Sequence, residues 1–249
     1  LLQKSGGKSV DLQVRSGSET SDVTVTPQRN DAGRWTIGAW VRDSMAGIGT
    51  MTFYDPGSGT FGALGHGITD LDTALLMPFS SGSILPSTVK AVQPGKAGRA
   101  GELRGDFDLT RELGTLYANT DGGVFGTLQS GSFSDSPAVP VAAASEIRTG
   151  PAVILANVDG DEVKEYGVEI TKIFAGDADF RNLLLTVTDP ELLARTGGIV
   201  QGMSGSPILQ NGKLVGAVTH VLLSDPTRGY GIFIENMLAA ADETVEQAS

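Results

Sequence analysis

Apolar and polar residues alternate over short stretches along most of this chain, the period of a strand with one buried face. Ser9-Val-Asp-Leu-Gln-Val-Arg15 and Asp22-Val-Thr-Val-Thr26 show it first, joined by the polar turn Ser16-Gly-Ser-Glu-Thr-Ser21. Residues 37–55 predict two strands around a glycine-containing turn. Asp55-Pro-Gly-Ser-Gly59 is the next turn, and a strand then runs into His66. Residues 70–100 mix strand and loop, and 100–130 carry further strand-like runs. Apolar runs at 137–143 and 150–157 predict strands. Residues 162–174 alternate throughout, and 182–188 predict another strand. Two segments read as helix. Asp189-Pro-Glu-Leu-Leu-Ala-Arg195 has an N-cap aspartate followed by proline at the first helical position. The tail from Ile234 to Ala241 is a closing helix. Many short strands, with turn signals roughly every 8–12 residues, predict an all-β sandwich or pair of barrels.

The first residues differ from the rest. Leu1-Leu-Gln-Lys reads as the last turn of a helix ended by Gly6-Gly7, followed by the hairpin and closed by Pro27. Residues 1–27 resemble the C-terminal part of a PDZ domain, without its first strands or carboxylate-binding loop. A hairpin alone buries too little surface to fold by itself. It is therefore expected to dock on the main body or on another copy of the chain, which would make a homo-oligomer. Residues 28–36 read as a polar linker, and 37–249 as the main domain.

Composition narrows the chemistry. The 249 residues carry a net charge of −11, which argues against a nucleic-acid partner. There is no cysteine, so disulfides, a thiol nucleophile and thiolate metal sites are excluded. The two histidines are far apart in sequence, with no His-x-x-x-His or Glu-x-x-His pairing, so neither a zinc site nor another cofactor is expected. No apolar run approaches the roughly 18 residues of a membrane span. The 34 glycines fit a β-rich, turn-rich chain.

One stretch carries the candidate chemistry. In Gly198-Ile-Val-Gln-Gly-Met-Ser204-Gly-Ser-Pro-Ile208 a serine sits in a tight glycine turn between apolar runs. A serine nucleophile needs such a bend, with nearby N–H groups converging on the developing oxyanion. By analogy with other Gly-x-Ser-Gly turns, the donors are those of Gly202 and Ser204. A bland strand-to-strand turn has the same composition, so a base is needed. His66, flanked by glycines at a strand end, is the better candidate. His220 lies inside the apolar run 214–222 and reads as a packed or pocket-lining residue. An acid usually fixes the imidazole tautomer. Asp70, Asp106, Asp108 and Asp189 are candidates. Asp106 and Asp108 follow His66 by 40 and 42 residues, a gap like that of trypsin-type enzymes, whereas Asp70 suits a turn. On the residues alone Asp108 and Asp189 are level.

Four blocks carry a family resemblance: Thr50-Met-Thr-Phe-Tyr-Asp-Pro, Phe61-Gly-Ala-Leu-Gly-His-Gly-Ile, Thr196–Ile208 and Val215-Gly-Ala-Val-Thr-His-Val. Together they resemble the SpoIVB serine peptidases of sporulation stage IV over roughly residues 37–240. That family carries a PDZ domain ahead of its peptidase domain. The resemblance implies a trypsin-like double β-barrel with His66 as base, Asp189 as acid, Ser204 as nucleophile and Thr219 as a supporting active-site residue. It implies a sporulation signalling enzyme that cleaves itself and a membrane-bound regulatory partner of an intramembrane metalloprotease, so that a mother-cell sigma factor is activated. It would work outside the cytoplasm, between forespore and mother-cell membranes, with a membrane anchor in the full-length protein. The rival expectation is a non-catalytic peptide-binding or assembly module on the same barrel.

Overall fold

The computed structural model describes every residue except 17–18, 40–44, 71, 79–80, 130–136, 177–179 and 249; the side chains of residues 16 and 245–248 are likewise left out. The chain divides into two compact units, Leu1–Ala46 and Gly47–Ser249. The first unit holds the predicted helix end, α1 (Leu2–Ser5), stopped by Gly6 in the left-handed conformation. The predicted hairpin follows as β1 (Val10–Ser16) and β2 (Glu19–Val25), registered from Val10 opposite Val25 to Ser16 opposite Glu19. The segment read as a linker folds back on itself. There β3 (Gln28–Arg29) pairs with β4 (Trp35–Thr36), and Asn30 closes the turn by accepting from the Arg34 N–H.

Among the described residues the second unit is all-β with two further α-helices and one short 3₁₀ turn at Ala144–Glu146. Among the described residues its N-terminal part has seven strands: β5 (Met51–Tyr54), β6 (Thr60–Ala63), β7 (Gly82–Ile84), β8 (Ser87–Gln93), β9 (Glu102–Phe107), β10 (Gly114–Thr120) and β11 (Gly123–Leu128). Five form one antiparallel sheet in the order β5-β6-β11-β10-β7, while β8 and β9 pair with each other. Of the strand pair expected over 37–55, only β5 is formed among the described residues, and 40–44 lie outside them.

The C-terminal part is a closed barrel. Its strands are β12 (Gly150–Asp159), β13 (Glu162–Ile173), β14 (Leu183–Val187), β15 (Pro207–Gln210), β16 (Lys213–Val221) and β17 (Arg228–Phe233), in the order β12-β13-β14-β17-β16-β15. The alternation visible in the sequence is the barrel wall. Ala152, Ile154, Ala156 and Val158 on β12, Tyr166, Val168 and Ile170 on β13, and Leu183, Leu185 and Val187 on β14 all point into one core. The expected strand at 137–143 is replaced by a single bridge of Val141 to Leu214. Pro137 and Pro140 lack the N–H groups that a longer ladder needs. The short helix α2 (Pro190–Thr196) has the predicted cap at Asp189. The closing helix α3 (Ile234–Ala248) runs further than its apolar part predicts. Ile234 and Met237 pack on the barrel strands through Ala217 and Ile232, while Ala241 packs with Phe125 and Ala118 of the first sheet. One helix thus ties both halves of this unit together. No described helix is long and apolar enough to cross a membrane.

Candidate active site

Ser204 lies in the loop entering β15, and the first sheet holds that loop in place. The Thr50 N–H donates to the Ser204 carbonyl at 2.9 Å, and the Thr50 hydroxyl donates to the Gly202 carbonyl at 3.1 Å. The buried Thr52 hydroxyl donates to the Gly205 carbonyl at 2.8 Å. From the other side the Gly205 N–H donates to the Val218 carbonyl at 2.7 Å. The role of the two threonines was not foreseen from the sequence. Their spacing, two apart on a strand, is the only hint, since it puts both hydroxyls on one face.

The expected oxyanion donors are oriented by the carbonyls of their own peptide planes. The Gln201 carbonyl accepts from the Leu103 N–H at 2.8 Å, and the Met203 carbonyl accepts from the Ser206 N–H at 2.9 Å. In a trans peptide the N–H points opposite to the carbonyl. The N–H groups of Gly202 and Ser204 are thereby turned away from these bonds, and neither donates to a described acceptor. Gly202, at φ +99°, adopts a backbone that a side chain would resist.

His66 sits where β6 leaves its sheet. Leu64 and Gly65 are both left-handed, at φ +68°, and a non-glycine residue there is an uncommon, mildly strained feature. The kink presses Gly65 against Thr219 and Ile232, whose methyl carbons lie 2.9 Å from where a Cβ would stand. The His66 Nδ1 lies 2.8 Å from the Gly67 carbonyl. A carbonyl can only accept, so Nδ1 carries the proton and Nε2 is the bare, basic nitrogen.

A bulge in β16 completes the cluster. Val218 pairs with Gly231 and His220 with Tyr230, so Thr219 is the extra residue between them. Strict alternation fails at this point. The Thr219 carbonyl accepts from the Ser204 hydroxyl at 2.8 Å, and the His220 ring lies against that of His66, with centroids 4.9 Å apart. Ser204, Thr219, His220 and His66 therefore stand together. At rest the serine proton faces Thr219 and not the imidazole.

Asp189 is not brought to His66 in this structure. Its carboxylate accepts from the Leu192 N–H at 3.0 Å as the cap of α2, and from the Gly167 N–H at 3.3 Å. Helix capping thus uses the group that the resemblance implies as the acid. Asp108 accepts from the Thr110 N–H and hydroxyl in its own turn, and Asp70 does the same with Asp72 and Thr73. Asp106 stands on β9 opposite Thr88.

Burial pushes the His66 pKa below the ordinary value of 6.5, partly opposed by the Gly67 carbonyl. Burial, then the neighbouring His66 and Arg181, push His220 down to about 4. Both rings are therefore neutral at pH 7. Two consequences follow from the lowered values. A reaction that uses His66 as base persists below pH 6.5 and fades only under more acid conditions. Both imidazoles also regain an ordinary pKa on unfolding, so the unfolded chain binds protons first. Stability present above about pH 6.5 is expected to be lost progressively as pH falls towards about 4. Urea midpoints between pH 7.5 and 4.5 check this, and a chain with both histidines replaced by asparagine should show a flatter profile.

A family model described as SpoIVB peptidase S55 matches residues 33–238. No curated protein matches the chain. Among solved structures, a serine-to-alanine mutant of Rv3671c from M. tuberculosis H37Rv, in its inactive form, aligns with 15% identity and a TM-score of 0.41, covering 67% of this chain and 85% of that one. The active form of the Rv3671c protease from M. tuberculosis aligns with 14% identity and a TM-score of 0.40, covering 69% and 94%.

Proposed function

The chain belongs to the SpoIVB peptidase S55 family and is a serine peptidase, and from that premise we propose that Ser204 and His66 carry its reaction on a protein substrate. The observation that supports this most is the gathering of Ser204, whose N–H and that of Gly202 donate to no described acceptor, and a His66 whose tautomer leaves Nε2 bare. In the proposed cycle the Ser204 hydroxyl turns from the Thr219 carbonyl and attacks a peptide carbonyl. His66 Nε2 takes its proton, and the N–H groups of Gly202 and Ser204 bind the oxyanion. The imidazolium then protonates the leaving amine, and water releases the acyl group through the same base.

The finer reading comes from the family resemblance. The enzyme acts in sporulation signalling outside the cytoplasm, on itself and on a membrane-bound regulator of an intramembrane metalloprotease. Incubation of the purified chain with such a regulator, beside a Ser204→Ala control, tests it. A serine-dependent cut supports the reading, and an intact regulator beside a labelled serine removes that substrate. A fold that carries no labelled serine at all returns the chain to the peptide-binding class.

Asp189 enters the proposal as the acid. For that role the turn that carries it must move towards His66, its carboxylate must give up the Gly167 and Leu192 amides, and His66 Nδ1 must leave the Gly67 carbonyl. Asp189→Asn keeps the Leu192 cap through its one amide oxygen but turns an NH₂ donor towards the Gly167 N–H. A modestly lowered melting temperature is expected from the lost Gly167 bond, with labelling by a fluorophosphonate probe slowed by roughly 10³–10⁴-fold. Labelling within a few-fold of the parent would leave the Gly67 carbonyl as the orienting group of His66.

A further inference from the structure

Unpartnered buried polar atoms gather around the nucleophile. Among the described residues four side chains hold such an atom, and three of them, Ser206 Oγ, Thr219 Oγ1 and His220 Nδ1, lie within the stretch from Ser204 to His220. Ser206 lies in the loop entering β15, and Thr219 is the bulged residue itself. His220 stands out because its ring is also in contact with the proposed base, at a tilt of 39° between planes. A buried nitrogen without a partner costs about 1–3 kcal/mol. Phenylalanine would fill the same place against His66 without that cost. A histidine kept only for packing is therefore a poor account of position 220.

We infer that His220 is the second imidazole of the active site, a positioning residue that holds the ring of His66 and supports it through its unspent nitrogen when His66 takes the proton of Ser204. This rests on the Ser204–His66 reading above. The β16 bulge gives His220 its place, one residue beyond the carbonyl that holds the resting serine. Desolvation keeps the ring neutral, as do the two cationic or titratable groups that face it, His66 and Arg181. Arg181 is itself stacked over Tyr230, the residue paired with His220. A neutral ring with its proton on Nε2 presents Nδ1 as a bare acceptor. It therefore favours the imidazolium form of His66 and does not compete for the proton. No bond is made or broken at His220: the proton moves from Ser204 Oγ to His66 Nε2 and onward to the leaving amine.

The test uses three variants and two readouts. His220→Phe keeps a ring of similar shape and removes the nitrogens. It should melt no lower than the parent, yet label roughly tenfold more slowly, with the pH midpoint of labelling moved to lower pH because the His66 imidazolium loses its support. His220→Gln keeps an acceptor and should label faster than the phenylalanine variant. His220→Ala opens His66 to water and should move its midpoint upward towards 6.5. The second readout is proton NMR of the imidazole C–H signals. The chain has 2 histidines, so each His220 variant leaves only the His66 signal, whose pKa should move in the same directions. Phenylalanine labelling at the parent's rate and midpoint overturns the inference. So does a slower rate with an unmoved midpoint and unmoved His66 pKa, which would mean simple mispacking. A parent that never labels removes the Ser204–His66 reading instead, while the NMR pKa values still decide whether His220 acts on His66.

Discussion

Ser204→Ala is expected to abolish labelling by a fluorophosphonate probe while leaving the chain folded. The hydroxyl makes one hydrogen bond, to the Thr219 carbonyl, and its loss removes about 0.5–1.5 kcal/mol. The loop itself is held by backbone and threonine contacts that alanine does not touch: Thr50 to the carbonyls of Gly202 and Ser204, and Thr52 to that of Gly205. The melting temperature should therefore move by only a few degrees. Without the oxygen no covalent adduct can form, so the loss of labelling is complete. His66→Ala beside it should slow labelling by about 10⁴-fold or more, since the serine is weakly nucleophilic without a base. Mass spectrometry of the labelled protein locates the adduct. An adduct that persists in Ser204→Ala, or full-rate labelling in His66→Ala, would remove these two residues from the reaction.

Gly205→Ala should be nearly as damaging to activity, by a different route, and should damage stability as well. Gly205 has φ +92°, where an alanine costs roughly 1–3 kcal/mol. Its Cβ would also overlap the Thr50 carbonyl and stand 2.6 Å from the Leu64 backbone nitrogen. Both are backbone atoms, which cannot swing aside. The loop must then shift away from Thr50 and β5, and the bonds of Thr50 and Thr52 to the carbonyls of Gly202, Ser204 and Gly205 go with it. A displacement of about 1 Å at a reacting group costs on the order of 100-fold in rate. The expected result is a loss of several kcal/mol in urea denaturation, by strain and lost contacts together, with labelling slowed at least 100-fold. Gly212→Ala is the control. That glycine also has a positive φ, at +75°, but nothing lies within 4 Å of its missing Cβ. It should lose stability through φ alone and label like the parent. Equal behaviour of the two variants would show that the close approach of the loop to β5 is unimportant.

Much of the architecture was legible in the sequence because its causes are local. The period-two runs became β12, β13 and β14, since each strand buries one face in the barrel core. Asp189-Pro190 announced α2, because a cap needs only a side-chain oxygen and the next amides. Residues 137–143 misled because apolar content alone does not make a strand when prolines interrupt the donors. Residues 28–36 misled because a polar composition does not exclude the short β3–β4 ladder.

The candidate site was legible only in part. Ser204 and His66 could be named from their glycine-rich turns, because positive φ and close approach demand glycine wherever they occur. Their neighbours could not. Whether a carboxylate meets an imidazole depends on which competing donors are nearer in space, and for Asp189 these are the amides of Leu192 and Gly167. The contact between His66 and His220 depends on a single extra residue in β16. A bulge reverses which side chains face inward and leaves no mark in hydrophobic periodicity. The sequence by itself determined the barrel strands, the α2 cap, the glycine turns and which serine is the candidate nucleophile, all effects of neighbouring residues. Only the tertiary structure decided which groups face His66 and which carbonyl holds Ser204 at rest, because those contacts join residues distant along the chain and are set by ladder register and close packing.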